Sequence, residues 1–356
     1  MAIAIHNQPA GFSFLESRYS GLSRSIARLP LGDFPTPLQQ LQSAPHGLWI
    51  KRDDQTHSIY GGNKVRKLEY LLGDAAAKGR GDLVTFGGVG SNHALATALH
   101  ARQIDIDCTC MLMRQRMTDF VETTLQRHQS NGTALEASAE RRRDRVAQMR
   151  RLRDASADGL SVVPLGGTSA IGSIGYVNAA FELAEQWNAP APPERIYVAS
   201  GTMGTAAGLT VGLALLGWPT HVVAVRVTAA HQCNMPALQK LCRKIVRRLQ
   251  AAEPRIRLAN DDFANVSIRD EFYGDDYAHA TDASKAAVAT ARTRWQLPLE
   301  TTYTGKAMAC LLHDQRNDEQ RGEWLFWHTY NGRPAGHQPE LNDDYASFLS
   351  LCAVVD

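Results

Sequence analysis

The stretch "RIYVASGTMGTAAGLTVGLALL", residues 195–216, decides the fold. It opens with Ile196, Tyr197 and Val198, side chains that favour a buried strand. It then passes through a turn of glycines and hydroxyls, Gly201-Thr202-Met203-Gly204-Thr205, and runs over 205–216 as a helix. A second apolar run, "HVVAVRV" (221–227), follows at once. Two strands joined through a helix are expected to lie parallel, because a tight turn joins only antiparallel neighbours. Moving outward, "DLVTF" (82–86), "CTCMLM" (108–113) and "SVVPL" (161–165) read as further strands, and 65–77, 92–102 and 176–187 as helices. The alternation predicts an α/β protein of parallel sheets covered by helices. In such sheets ligands gather at the carboxyl ends of strands, where Gly-rich turns open helices.

The turn 201–205 sits at such an end. Its backbone N–H groups and threonine hydroxyls suit one phosphate. It lacks the Gly-Lys-Ser/Thr ending of a Walker loop, and its glycine spacing does not match a dinucleotide fingerprint. A second turn, in "TFGGVGSNHALATALHA" (85–101), brings Ser91, Asn92 and His93 to the mouth of a helix. There the first N–H groups attract a carboxylate or phosphate, or Ser91 or Asn92 serves as a plain N-cap. A third, in "LETTYTGKAMACLL" (299–312), sets Tyr303 and Thr304 ahead of a helix; Ala307 after Gly305-Lys306 spoils any P-loop. A fourth, "YGGNKVRKLEYLL" (60–72), places Lys64 behind two glycines at the start of a helix with Val65, Leu68, Leu71 and Leu72 on one stripe. Lys67 follows one turn later and can reach the same neighbourhood.

The 356 residues suffice for about two domains. Apolar content of 44% and charged content of 21% are those of an ordinary soluble globular protein. A net charge of +2, from 38 basic and 36 acidic residues, gives no general attraction to nucleic acid or anionic lipid. The basic block "SAERRRDRVAQMRRLR" (138–153) carries Val146, Met149 and Leu152 at every third position and reads as a solvated helix. Without interleaved aromatics it does not support a nucleic-acid binder. Cys108, Cys110, Cys233, Cys242, Cys310 and Cys352 show no framework spacing and read as reduced thiols of a cytoplasmic protein. Cys108 and Cys110 would share one strand face in the core, so no metal site is expected. The N-terminal "MAIAIHNQPAGFSFLESRYSG" has no secretory pattern, and "AAGLTVGLALLGW" falls short of the about 20 residues that cross a bilayer. The Pro-rich "QWNAPAPPER" (186–195) reads as a connection near a domain junction. A nicotinamide-dependent oxidoreductase would need the dinucleotide fingerprint that the Gly-rich turns lack.

Taken together, "KRDDQTHSIYGGNKVRKLEYLL", "GGVGSNHALATA", "PLGGTSAIGSIGYVNAAFELA", "SGTMGTAAGL", "YTGKAMACLL" and "FWHT" resemble the pyridoxal-phosphate (PLP) enzymes of the tryptophan-synthase-β fold type. More narrowly, the chain resembles the D-cysteine desulfhydrase and 1-aminocyclopropane-1-carboxylate deaminase family, over about Phe34 to Thr329. The resemblance implies fold type II. Two open, twisted, mostly parallel sheets would form a larger cofactor domain (1–65 and 178–356) and a smaller domain (66–177), with the active site between them. It implies that Lys64 holds PLP as a Schiff base and that Lys67 helps bind the phosphate. It gives Gly201, Thr202, Met203, Gly204 and Thr205 to the phosphate loop and Thr304 to the pyridine nitrogen. Ser91, Asn92 and His93 would receive the substrate carboxylate, with Asn92 also touching the cofactor and Ser91 among the catalytic groups. Tyr303 and Tyr273 would be active-site tyrosines, and Gly61-Gly62 would leave room for the cofactor beside the backbone. A homodimer acting on a small amino acid by α,β-elimination is implied. The alternatives are a 1-aminocyclopropane-1-carboxylate deaminase, an L-cysteate lyase and a β-replacement enzyme.

Two positions sort the branches. The deaminase branch would have Glu at 304 and Leu at 329; both are threonine here, as in the desulfhydrase branch. A neutral hydroxyl stabilises a protonated pyridine less than a carboxylate does, which disfavours opening a cyclopropane. Two departures stand out from the family pattern. "HTYNG" replaces "HTGG", so Tyr330 is expected to line and reshape the substrate pocket, with Asn331 alternatively ending a strand. "GSNH" replaces "QSNH", leaving Gly90 near the site.

Overall fold

The computed structural model describes residues 12–42, 47–259, 263–317, 322–333 and 336–354, so the first part of the N-terminal stretch (1–11) lies outside the described residues. The chain divides into two units, Met1–Tyr70 with Thr168–Arg333, and Leu71–Gly167 with Pro334–Asp356. The larger unit begins with helices α1 (Phe14–Arg18) and α2 (Leu22–Ser25) and strands β1 (Leu38–Gln40) and β2 (Leu48–Lys51). The first division falls inside helix α3 (Lys64–Ala77). The smaller unit continues through β3 (Asp82–Gly88), α4 (Asn92–Arg102), β4 (Asp107–Met113) and β5 (Gln115–Arg116). It then holds α5 (Asp119–Ser130), β6 (Ala134–Ala137), α6 (Arg142–Ala155) and β7 (Leu160–Val163). Back in the larger unit come α7 (Ala170–Gln186), β8 (Arg195–Ser200), α8 (Gly204–Leu216), β9 (His221–Arg226) and α9 (Met235–Ala252). They are followed by β10 (Val266–Arg269), α10 (Asp282–Trp295), α11 (Thr304–Asn317) and β11 (Trp324–Trp327). Helix α12 (Asp343–Cys352) and β12 (Ala353–Val354) close the smaller unit.

Among the described residues the larger unit holds a sheet of order β1-β2-β11-β8-β9-β10, parallel except for the β1–β2 pair. Its inner strands are buried on both faces, and successive residues serve different cores. Ile196, Val198, Val222, Ala224, Leu325 and Trp327 join the core packed by α7, α8 and α9. Tyr197, Ala199, Val223, Val225, Trp324 and Phe326 join the core with α10 and α11. This period of two inside near-continuous apolar runs is what a parallel sheet covered on both sides requires. Helix α8 is apolar all round because it is buried all round from Gly204 to Leu213. It lies so close to α7 that a methyl group on Gly208 would come within 2.4 Å of the Ser173 carbonyl oxygen.

The smaller unit holds a parallel sheet of order β6-β4-β3-β7. Cys110 of β4 is buried, its Sγ 3.6 Å from the Ala94 carbonyl. Helix α6 buries none of its residues, so the basic block is a solvated face. The expected domain limits differ in three places, the first of them at Tyr70 rather than 65. The second boundary lies at Gly167 rather than 177, because α7 packs closely against α8, from Ser173 to Ala180. The C-terminal stretch belongs to the smaller unit: Phe348, Leu349 and Cys352 pack with Val121 and Leu125, β12 pairs with β5, and the Tyr345 hydroxyl donates to the Thr133 carbonyl. The Pro-rich segment 186–195 connects α7 to β8 within the larger unit, away from either boundary.

Candidate active site

The larger unit carries two polar groups of residues, one around the start of α3 and the turn before α8, the other at the start of α11. Helix α3 begins at Lys64, directly after the glycine pair. Gly62 has φ +91°, and a methyl group on it would lie 2.9 Å from the Thr329 carbonyl oxygen. One on Gly61 would lie 2.4 Å from the Asp54 carbonyl. The space beside these glycines is therefore filled by the protein's own backbone, which corrects the expectation that it is room for the cofactor. Asn331, buried, accepts the Gly61 N–H at 2.8 Å, and the Asn63 N–H donates to Thr329 O at 3.0 Å. Asn331 thus clamps the turn that launches α3. Tyr330 is partly buried beside it.

Lys64 is half-buried as a residue, and its amine is desolvated. Burial lowers its pKa to about 8, against an upward pull from the Glu300 carboxylate. Its Nζ donates to Asn63 Oδ1 at 2.7 Å, and Asn63 Nδ2 donates to Thr205 Oγ1 at 3.1 Å. Lys67 is buried, and desolvation followed by the charge of Lys64 sets its pKa well below that of an ordinary lysine. Its amine faces the turn before α8. A methyl group on Gly204 would meet Thr168 Oγ1 at 2.7 Å, Lys67 Nζ at 2.9 Å and Ser173 Oγ at 3.2 Å. Met203 takes a left-handed conformation (φ 64°) and leaves the first turn of α8 without a side-chain cap. Thr168 and Thr202 share a hydrogen bond of 2.6 Å, and Thr228 Oγ1 holds Gly201 O at 2.9 Å. The buried Ser173 hydroxyl has no hydrogen-bond partner among the described residues.

An uncapped helix start, a buried lysine amine and an unsatisfied hydroxyl converging on one glycine make a cradle for a single phosphate. The residues fit PLP's phosphate on this ground. Thr168 and Ser173 are not among the residues that the sequence singles out; the available signal is the second Gly-Gly-Thr turn in "PLGGTSAIGSIG" (164–175).

At the start of α11 the fully buried Thr304 binds Glu300. The carboxylate also accepts backbone N–H groups of Thr302, Tyr303 and Thr304. Burial raises the Glu300 pKa, and these hydrogen bonds pull it down. The Tyr303 hydroxyl forms a short hydrogen bond to the Tyr277 hydroxyl, with the rings edge to face at 6.2 Å. Burial first, and then Tyr277, set the Tyr303 pKa well above that of a free phenol. Tyr273 is placed differently. Its carbonyl accepts Lys306 Nζ at 2.5 Å, and its ring lies under Lys306 and Arg226. The hydroxyl on Tyr303 thus comes from Tyr277, four residues past the tyrosine read from the sequence.

In the smaller unit, Ser91 is the N-cap of α4, accepting the Ala94 N–H at 3.2 Å. Ser91 and Asn92 stay partly exposed at the helix mouth. His93 is buried: its Nε2 lies 3.0 Å from Thr85 Oγ1 and accepts the Gly167 N–H at 3.2 Å. That side chain ties β3 to the turn Leu165–Gly167, so within this unit it works as a brace. Gly90 also has a local reason. Its N–H donates to Gln115 Oε1 at 3.0 Å, and a methyl group there would meet Val121 at 2.9 Å. The Gln115 side chain from β5 thus lies beside Gly90.

The model of the family described as pyridoxal-phosphate dependent enzymes matches residues 29–329. The D-cysteine desulfhydrase of Salmonella schwarzengrund is 34% identical over 325 residues, covering 86% of this chain and 94% of that protein. That of Salmonella newport is 33% identical over the same span. A crystal structure described as an ACC deaminase homologue is 28% identical with a TM-score of 0.73, covering 93% of this chain and 98% of its own. A fungal L-serine ammonia-lyase from Rhizomucor miehei, 16% identical with a TM-score of 0.57, covers 88% and 97% and shares the fold. A family match across most of the chain agrees with a cradle shaped for one phosphate beside a deprotonatable lysine, and the chain belongs to the pyridoxal-phosphate dependent enzymes.

Proposed function

We propose that the protein is a lyase that eliminates the β-substituent of a small amino acid such as D-cysteine, giving pyruvate, ammonia and the leaving group. The observation that carries this reading is the pairing of Lys64, with its pKa near 8, and the phosphate cradle at α8, reached from the same helix by Lys67. The desulfhydrase relatives support the substrate class. PLP, when bound, supplies an electron sink for carbanion chemistry.

The chain's own groups do the rest. Lys67, Thr168, Ser173 and the first N–H groups of α8 would hold the phosphate, and Thr304 would meet the ring nitrogen. Lys64, as a neutral amine, would hold the cofactor covalently, and its Nζ would take up a proton when the substrate is bound. Tyr303, whose pKa is well above the ordinary value, stays protonated near neutrality and would act as a donor paired with Tyr277. Ser91 and Asn92 offer the mouth of α4 to the substrate carboxylate. Tyr330 would set which β-substituents are accepted, and a homodimer is part of the same proposal.

Purified protein should be yellow and lose its visible band on borohydride reduction. A colourless preparation that takes up no added PLP would sink the reading. A panel of D- and L-β-substituted alanines assayed for pyruvate identifies the substrate. The structural neighbour with an ACC deaminase description keeps a second reading in view. Ammonia and α-ketobutyrate from 1-aminocyclopropane-1-carboxylate, with no pyruvate from any alanine, would favour it.

A further inference from the structure

The Glu300 carboxyl group is enclosed by donors. Oε1 accepts the N–H groups of Tyr303 at 3.0 Å and Thr304 at 2.7 Å. Oε2 accepts those of Thr302 at 2.7 Å and Tyr303 at 3.1 Å. Backbone donors converging on both oxygens favour the carboxylate, which can only accept. Burial raises the Glu300 pKa, and these N–H donors, with Lys64 and Lys306 within its electrostatic reach, act against that rise and favour the carboxylate. The Thr304 hydroxyl donates its proton to Oε1 at 2.9 Å, the nearer and charged acceptor, with the Glu300 carbonyl oxygen farther off at 3.3 Å. Thr304 Oγ1 already accepts the Glu300 N–H at 3.1 Å. One lone pair is left on this buried oxygen, and a polar group that meets it must bring its own proton.

We propose that Glu300 is a positioning residue that holds Thr304 as an acceptor, so that the cofactor's ring nitrogen binds here in its protonated form. The proposal rests on the reading of Thr304 as the partner of that nitrogen. It changes the expectation drawn from a neutral threonine. The negative charge stands one hydrogen bond behind the hydroxyl, and the pyridinium is stabilised through it. A Glu300 that merely caps α11 would leave the ring unaffected.

The test uses the full chain loaded with PLP carrying 15N in the ring, read by the 15N resonance and the visible spectrum. The wild type is expected at the pyridinium position. Glu300→Gln, which keeps the side-chain shape and removes the charge, should move the resonance towards neutral pyridine. Thr304→Val should do the same without altering the cap carboxylate, and Thr304→Ser should restore the wild-type position. A wild-type resonance at the neutral position overturns the proposal. So does a Glu300→Gln resonance left in place while Thr304→Val moves. If Thr304→Val itself leaves the resonance unmoved, Thr304 is not the ring-nitrogen partner and the reading beneath the proposal fails. A protein that never acquires a visible band removes both.

Discussion

A buried lysine is costly to charge, and Lys64 shows what that does at neutral pH. With a pKa near 8, about one amine in ten is neutral at pH 7, against roughly one in three thousand for an ordinary lysine. The folded pKa lies below the unfolded one, so the unfolded chain binds more protons between about 8 and 10.5, and stability rises with pH across that window. Lys64→Met should therefore make the cofactor-free protein more stable at pH 7, with the gain vanishing above about pH 10.5. Urea titrations at the two pH values check this; an equal gain at both would show that the charge is not the cause. The same variant should form no borohydride-reducible bond with PLP. For the hydroxyl pair, Tyr303→Phe should lower kcat by about 10²-fold while the bound-cofactor spectrum persists, as expected for a lost general acid.

Elements place these residues, and their turns are the points to probe. The start of α8 and the side chains from α3 and α7 form the cradle, so Ser173→Ala and Thr168→Val should each weaken PLP binding about 10- to 100-fold, since hydrogen bonds to charged groups are worth about 1.5–3 kcal/mol. Equilibrium dialysis reads this, and an unchanged affinity in both would separate the phosphate from this turn. The loop after β11 divides its work between neighbours. Asn331→Ala removes the acceptor for the buried Gly61 N–H and should cost about 1–3 kcal/mol in denaturant unfolding. Tyr330→Gly should leave stability nearly unchanged and alter the ratio of kcat/KM between small and large β-substituents. If the two variants exchange these effects, the roles assigned to Asn331 and Tyr330 are reversed.

At the scale of the molecule, a buried ionic network holds the larger unit together behind Lys64. Arg66 pairs with Asp53 and Glu182, and Lys51 reaches Glu182 at 2.5 Å. Tyr176 and the Trp327 indole both donate to Asp53 at 2.7 Å. The network links β2, α3, α7 and β11, and it fixes the helix whose first residue is Lys64. Burial pushes the Glu182 pKa up, and Arg66 and Lys51 override it, bringing it to about 2. A carboxyl depressed in the folded state contributes stability that is present above its unfolded pKa near 4.5 and lost as pH falls towards 2. Glu182→Gln should lower stability at pH 7 by about 3–5 kcal/mol, because it leaves Lys51 and Arg66 short of a counter-charge. The deficit should shrink as pH falls from about 4.5 towards 2, the window in which the unfolded chain's carboxyl takes up a proton and the folded one does not. Thermal or urea unfolding across that range is the measurement.

The sequence by itself determined the parallel α/β architecture, since apolar runs alternating with helices and Gly-rich turns admit few other arrangements. It also marked the cofactor family, and it singled out the lysine pair and the turn at 201–205 for the proposed site, because local chemistry at strand ends is written in consecutive residues. Strands as short as Trp324–Trp327 and Val266–Arg269 are not legible in it, for four residues carry too little periodicity to stand out. The tertiary structure alone decided which side chains meet. It put Tyr277 on Tyr303, turned His93 inward, filled the space at Gly61-Gly62 with backbone, and gathered Thr168 and Ser173 around Gly204. Above all it placed Glu300 behind Thr304. A helix start brings residues four apart into contact, and the direction of the proton between them follows from the surrounding N–H donors, which no spacing rule records.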